Sequence, residues 1–151
     1  MQLTSGINHV AIMTADLDRF VDFYTEVFGA RLVFREENPA FAHAILEVGR
    51  GGLLHPLHTA DNPHATGSAA MFGRGHLDHL ALEVPDRAAF DTVRTRLMER
   101  GATDGEVTDL GPKLSFWVID PDGMRIEVDL ITDPSYAGFH APVPVVDYAP
   151  A

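Results

Sequence analysis

Gly75-His76-Leu77-Asp78-His79-Leu80-Ala81-Leu82-Glu83-Val84 decides how this chain is read, because its start already contains Ile7-Asn8-His9-Val10-Ala11-Ile12. His9 and His79 are 70 positions apart, and the same offset carries Ala11 onto Ala81, Ile12 onto Leu82, Asp16 onto Asp86 and Phe20 onto Phe90. Two similar halves, each opening on a histidine-bearing strand, predict one pseudo-symmetric domain with a site shared between the halves.

Composition narrows the function classes. A chain of 151 residues has room for one domain with a good core and too little for two comfortable ones. A formal charge of −11, with eleven scattered Lys and Arg, counts against nucleic acid, which needs a clustered basic surface. The absence of cysteine rules out disulfides and thiolate metal sites. No apolar run of membrane-spanning length and no secretory leader is visible, so a cytoplasmic protein off the membrane is expected.

Outward from the repeated phrase, each half predicts β-α-β-β-β. Gly6 to Met13 alternates as a strand, with Asn8, Val10 and Ile12 on one face and Ile7, His9, Ala11 and Met13 on the other. Asp16 is placed to cap a helix from Leu17 to Phe28, whose Phe20, Phe23, Tyr24, Val27 and Phe28 form an inward stripe ended by Gly29. Strands follow at Arg31 to Glu36, Ala40 to Val48 and, after the turn Gly49-Arg50-Gly51-Gly52, Leu53 to Leu57; Pro56 suggests an edge or a bulge. The second half places a strand at Leu77 to Val84 and a helix from Asp86 to Arg100. A weak strand at Glu106 to Leu110, a strand at Lys113 to Ile119, the turn Asp120-Pro121-Asp122-Gly123 and a strand at Arg125 to Leu130 complete it. The expected organisation is a single domain over residues 1–131 (module one 6–58, connection 59–75, module two 76–131), then a Pro- and Ala-rich tail over 132–151. That tail either wraps over the domain or a partner subunit, or is only partly ordered.

Strand parity then sorts the chemistry. Val10 and Ile12, or Leu80, Leu82 and Val84, belong on the helix side; His9 beside Ala11, and His79 beside Ala81, lie opposite, where a small neighbour leaves room for a ligand. In the last strand of each half, His55 and Glu127 take that same face and become counterparts, with one residue of slack when aligned on the glycine turns. The repeat thus predicts the pairs His9 with His79 and His55 with Glu127 around one axis. Imidazole and carboxylate donors suit Ni, Fe, Mn, Co or Zn in a site with open positions. His9, His79 and Glu127 alone would be a two-His-one-carboxylate set of the non-haem Fe(II) kind.

His9-Val10-Ala11-Ile12, Asp16-Leu17-Asp18 and Phe23-Tyr24-Thr25-Glu26-Val27-Phe28-Gly29, together with Gly75 to Leu82 and Asp120-Pro121-Asp122-Gly123-Met124-Arg125-Ile126-Glu127, resemble the vicinal oxygen chelate superfamily over residues 7 to 130. The superfamily includes glyoxalase I, methylmalonyl-CoA epimerase, fosfomycin resistance enzymes, extradiol dioxygenases and metal-free bleomycin-binding proteins. The resemblance implies an α+β fold of two pseudo-symmetric β-α-β-β-β modules forming a cupped mixed sheet around a divalent metal, a small-molecule substrate and a homodimer. It makes His9 and His79 the first-strand metal ligands and Glu127 the last-strand carboxylate. His55 falls where glyoxalase I and the epimerase carry a carboxylate or amide, so either Glu127 is the one metal-adjacent base or the His55 imidazole takes that role.

Three functions follow as expectations: a metal-dependent lyase or isomerase of glyoxalase or epimerase type, an Fe(II) extradiol dioxygenase, or a metal-free binding protein of the bleomycin-resistance kind. The plainer alternative for Glu127 is an exposed ion pair with Arg125. His76 competes with His79 but lies at the strand entry. His43 and His58 either shuttle protons or are exposed polar positions; His64 and His140 receive no role. Phe20, Tyr24 and Phe90 read as core, and Trp117 is left open.

Overall fold

The structure, a computed structural model, describes residues 3–4, 6–62 and 77–150. The chain divides into two compact units, Met1–Gly67 and Ser68–Ala151. Most of the expected connection, with His64 and His76, lies outside the described residues.

The first unit runs β1 (His9–Met13), α1 (Leu17–Phe28), β2 (Arg31–Asn38), β3 (Phe41–Val48) and β4 (Gly52–Thr59). Its mixed sheet has the order β1-β4-β3-β2, with β1 and β4 parallel and the other pairs antiparallel. Asp16 caps α1 by accepting from the Arg19 N–H at 3.0 Å. Gly29, at φ 68°, ends the helix in the left-handed conformation that a residue without Cβ adopts most cheaply. The stripe on α1 is buried as its spacing requires, with Phe20, Tyr24 and Val27 fully enclosed. It packs on the sheet face formed by the buried Ile12, Ala42, Ala44, Leu46 and Leu54. Each large side chain so buried contributes about 1.5–3 kcal/mol.

Pro56 does not sit at an edge or a bulge. β4 is interior, between β1 and β3, and its register against β3 is the same on both sides of the proline, His43 opposite Leu57 and Leu46 opposite Leu54. The ladder instead skips the two positions between those pairs, as a residue without an N–H permits, and Pro56 itself lies opposite Ile12 on the β1 side.

The second unit repeats the order with β5 (Leu80–Glu83), α2 (Arg87–Glu99), β6 (Thr108–Asp109), β7 (Lys113–Ile119) and β8 (Arg125–Ile131), and adds β9 (Val143–Pro144). The sheet order is β5-β8-β7-β6-β9. Asp86 caps α2 by accepting from Ala89 N at 2.8 Å, reproducing the Asp16 cap at the 70-residue offset. Phe90, Val93 and Leu97 of α2 are buried with Phe116, Val118, Ile126 and Val128, and Phe90 meets Phe116 edge-on at 5.0 Å between ring centroids. The last turn forms as expected: Gly123 (φ 82°) donates to the Asp120 carbonyl, while Asp120 Oδ1 accepts from the backbone N–H of Asp122 and Met124.

Strand ends differ from expectation. β1 starts at His9 rather than Gly6, β5 at Leu80 rather than Leu77, and β6 is only two residues long. The tail is part of the second unit. β9 pairs with β6, and Tyr148 packs against α2 between the guanidinium groups of Arg87 and Arg94, 4.3 and 4.9 Å from its ring centre, donating its hydroxyl to Asp91. Among the described residues no helix is long and apolar enough to cross a membrane.

Candidate functional site

Both sheets leave one face uncovered by their helix, and the sequence-predicted residues stand on those faces. Strand pairing removes the one-residue slack. Ala11 lies opposite His55 across the parallel β1–β4 pair, and Ala81 opposite Glu127 across the parallel β5–β8 pair. His55 and Glu127 are therefore true counterparts. In each unit the histidine two residues before that alanine reaches toward the counterpart: the His9 and His55 rings meet edge-on at 5.4 Å, and His79 Nε2 lies 3.5 Å from Glu127 Oε2.

A second correspondence concerns ring orientation. His9 Nδ1 is 2.8 Å from Asn8 Oδ1, and His79 Nδ1 is 2.9 Å from Asp78 Oδ2. A carboxylate or carbonyl oxygen accepts only, so each Nδ1 carries a proton, and in the neutral ring Nε2 is the nitrogen with the free lone pair. A carboxylate or amide behind a histidine is the arrangement that fixes the tautomer of a metal-ligating imidazole. Asn8 and Asp78 are also 70 positions apart, a signal present in the sequence and missed there.

In the first unit His55 is additionally engaged by His43, whose Nδ1 lies 2.9 Å from His55 Nε2. Burial, then the neighbouring His43 and His9, hold the His55 pKa below its ordinary value, which favours the neutral ring. His43 also has Phe34 and Phe41 against its ring and Glu36 3.5 Å from its Nε2. His58 instead lies 3.2 Å from the Thr14 carbonyl, tying β4 to the corner between β1 and α1. His140 is 2.8 Å from the Ala141 carbonyl, in the tail.

In the second unit Glu127 is 6% exposed, and its ion-pair partner is Lys113 rather than Arg125. Lys113 Nζ donates to Glu127 Oε1 at 2.8 Å and to the two oxygens of Asp129 at 3.0 and 2.8 Å. Burial alone would lower the Lys113 pKa; the hydrogen bonds to Asp129 and Glu127 outweigh it and hold the ammonium charged. Burial pushes Asp129 up to about 6 against the opposing pull of Lys113. Lys113 carried no role in the sequence reading because it lies fourteen and sixteen positions from its partners. Trp117 belongs to this face too, its ring edge-on to His79 at 5.0 Å. The Arg125 guanidinium stands 6.0 Å from the Trp117 ring, and its Nε is buried without a hydrogen-bond partner among the described residues.

The sequence-predicted residues thus come in two pairs, His9 with His55 and His79 with Glu127. Among the described residues no three His, Asp or Glu side chains converge as a ready metal cage. The chemistry of the second pair nevertheless fits a divalent ion: one imidazole nitrogen that Asp78 does not engage, beside one carboxylate oxygen.

The α+β arrangement, the repeated module and this face define a class. The family model described as the glyoxalase/bleomycin resistance protein/dioxygenase superfamily matches residues 6–128, and the chain belongs to that superfamily. It is 29% identical over 125 residues to a lactoylglutathione lyase of Escherichia coli O157:H7, covering 80% of this chain and 88% of that protein. Among solved structures it resembles a glyoxylase/bleomycin resistance protein/dioxygenase domain from Frankia sp., with a TM-score of 0.72 and 22% identity over 85% of this chain and 98% of that one. It also resembles a mutant of the fosfomycin resistance protein FosX from Listeria monocytogenes, complexed with Mn(II) and a dihydroxypropylphosphonic acid. There the TM-score is 0.67 and the identity 16%, over 86% of this chain and 95% of that one.

Proposed function

We propose that this protein is a divalent-metal-dependent lyase or isomerase of glyoxalase or epimerase type, acting on a small substrate through two vicinal oxygens. The observation that carries it is the His79–Glu127 pair, with the remaining ring nitrogen of His79 committed to Asp78. The lactoylglutathione lyase relatives and the Mn(II) in the FosX structure support the reaction class and the use of a metal. His9, His79, Glu127 and His55 are the proposed ligands. The bound ion would act as a Lewis acid, lowering the energy of an oxyanion or enolate on the substrate. Glu127 moves the proton, and His55, held neutral, is the second candidate base. The homodimer rests on the resemblance alone.

A second reading has a specific observation behind it. His55 Nε2 is occupied by His43, which leaves His9, His79 and Glu127 as a two-His-one-carboxylate set suited to an Fe(II) extradiol dioxygenase.

The test is reconstitution of chelator-treated protein with Ni, Co, Mn, Zn or Fe(II), followed by assays of lactoylglutathione turnover and of oxygen uptake with catechols. The expected result is one ion per chain and turnover without oxygen consumption, with Glu127→Gln lowering kcat by about 10²–10⁴-fold. Oxygen uptake with Fe(II) selects the dioxygenase. Failure to bind any of these metals leaves the metal-free binding protein.

A further inference from the structure

Lys113, Ser115 and Trp117 alternate along β7 on the same face that Glu127 and Asp129 occupy on β8. Ser115 lies opposite Asp129 and Trp117 opposite Glu127, so Lys113 reaches diagonally along the sheet to both carboxylates, past a serine small enough to leave it room. Three carboxylate oxygens converge on one ammonium nitrogen, at 2.8, 2.8 and 3.0 Å. The side chains of Lys113, Glu127 and Asp129 are only 13%, 8% and 11% exposed, so the ammonium rather than water balances the two carboxylates.

We infer that Lys113 is the resident counter-cation of the Glu127–Asp129 pair and, by filling the place where their oxygens converge, sets which metals the neighbouring site accepts. Lys113 is a positioning residue here, and the inference rests on the metal-site reading above. Nζ engages Glu127 Oε1 and both Asp129 oxygens, so Oε2, on the side of His79 Nε2, is the carboxylate oxygen of the pair that the ammonium does not hold. What remains is a mixed nitrogen and oxygen donor pair, suited to Ni, Co, Zn or Fe(II). Removal of the ammonium would leave two buried carboxylates aimed at one point, an all-oxygen pair that suits a hard cation such as Ca2+. Arginine at this position would keep the charge and bridge both carboxylates through its fork.

The experiment is calorimetric titration of chelator-treated protein with Ni2+ and, separately, Ca2+, with melting curves recorded in both salts. Wild type and Lys113→Arg are expected to bind Ni2+ and to bind Ca2+ poorly. Lys113→Met is expected to gain at least about tenfold in Ca2+ affinity, with a Tm that Ca2+ raises. The double variant Lys113→Met/Asp129→Asn is expected to lose that gain, because the second carboxylate has gone. Lys113→Ala, which leaves the place between the carboxylates to water, replaces Lys113→Met in both comparisons if the latter does not fold. Unchanged Ca2+ affinity on loss of the ammonium, or a gain that survives the Asp129 substitution, overturns the inference. Failure of wild type to bind Ni2+, and then Co2+, Mn2+, Zn2+ or Fe2+ in the same titration, overturns the metal-site reading instead, and the two failures are read from different titrations.

Discussion

Glu127 Oε2 lies 3.5 Å from His79 Nε2 while the other oxygen of the same carboxylate is held by Lys113, so one buried side chain joins a would-be metal donor to a fixed positive charge. Its strand partner Trp117 stands against the His79 ring. The arrangement has consequences that solution measurements can check.

The residue behind each histidine fixes its tautomer. Asp78→Ala removes the oxygen that accepts the Nδ1 proton of His79. Metal affinity, read by competition with a chromophoric chelator, is expected to fall about 10–100-fold. Asn8→Ala is expected to act in the same direction through His9. Wild-type affinity in both variants would show that these neighbours do not tune the rings.

Asp129 makes stability depend on pH. Its folded pKa, about 6, lies above the ordinary 3.8, so the folded state holds this proton more readily than the unfolded chain does. The stability it contributes is fully present below pH 3.8 and is lost as pH rises through about 6. Urea denaturation of the metal-free protein across that window is expected to show this loss in wild type, and a flatter profile in Asp129→Asn. A wild-type profile in the variant would count against the assignment.

The tail is held by Tyr148. Tyr148→Phe removes only the hydroxyl donated to Asp91 and is expected to cost about 1 kcal/mol in denaturant unfolding. Tyr148→Ala also removes the ring between Arg87 and Arg94, each such contact worth about 0.5–1 kcal/mol, and is expected to cost clearly more. Burial, then Asp91, push the phenol up to about 12, so its alkaline absorbance change is expected after that of an ordinary tyrosine. Equal stability of all three proteins would mean that Tyr148 does not anchor the tail.

Much of this was legible in the chain. The 70-residue offset gave the repeated order of elements, the Asp16 cap, the helix start at Asp86 and the core residues Phe20 and Phe90, because caps and stripes are set by residues three or four apart. Parity put His9, His55, His79 and Glu127 on the faces away from the helices. Pro56 was misplaced because one residue does not reveal which strand will pair beyond it; an interior strand tolerated it by skipping ladder positions.

By itself the sequence determined the repeat, the order of elements in each half and which imidazole and carboxylate side chains share the strand face away from the helix, since these follow from local periodicity. Only the tertiary structure decided that His43 occupies His55, that Lys113 rather than Arg125 neutralises Glu127, and that the tail joins the second sheet. The physical reason is that side-chain partnership is fixed by strand register and by which long side chain reaches across it, and register brings together residues that no spacing along the chain connects.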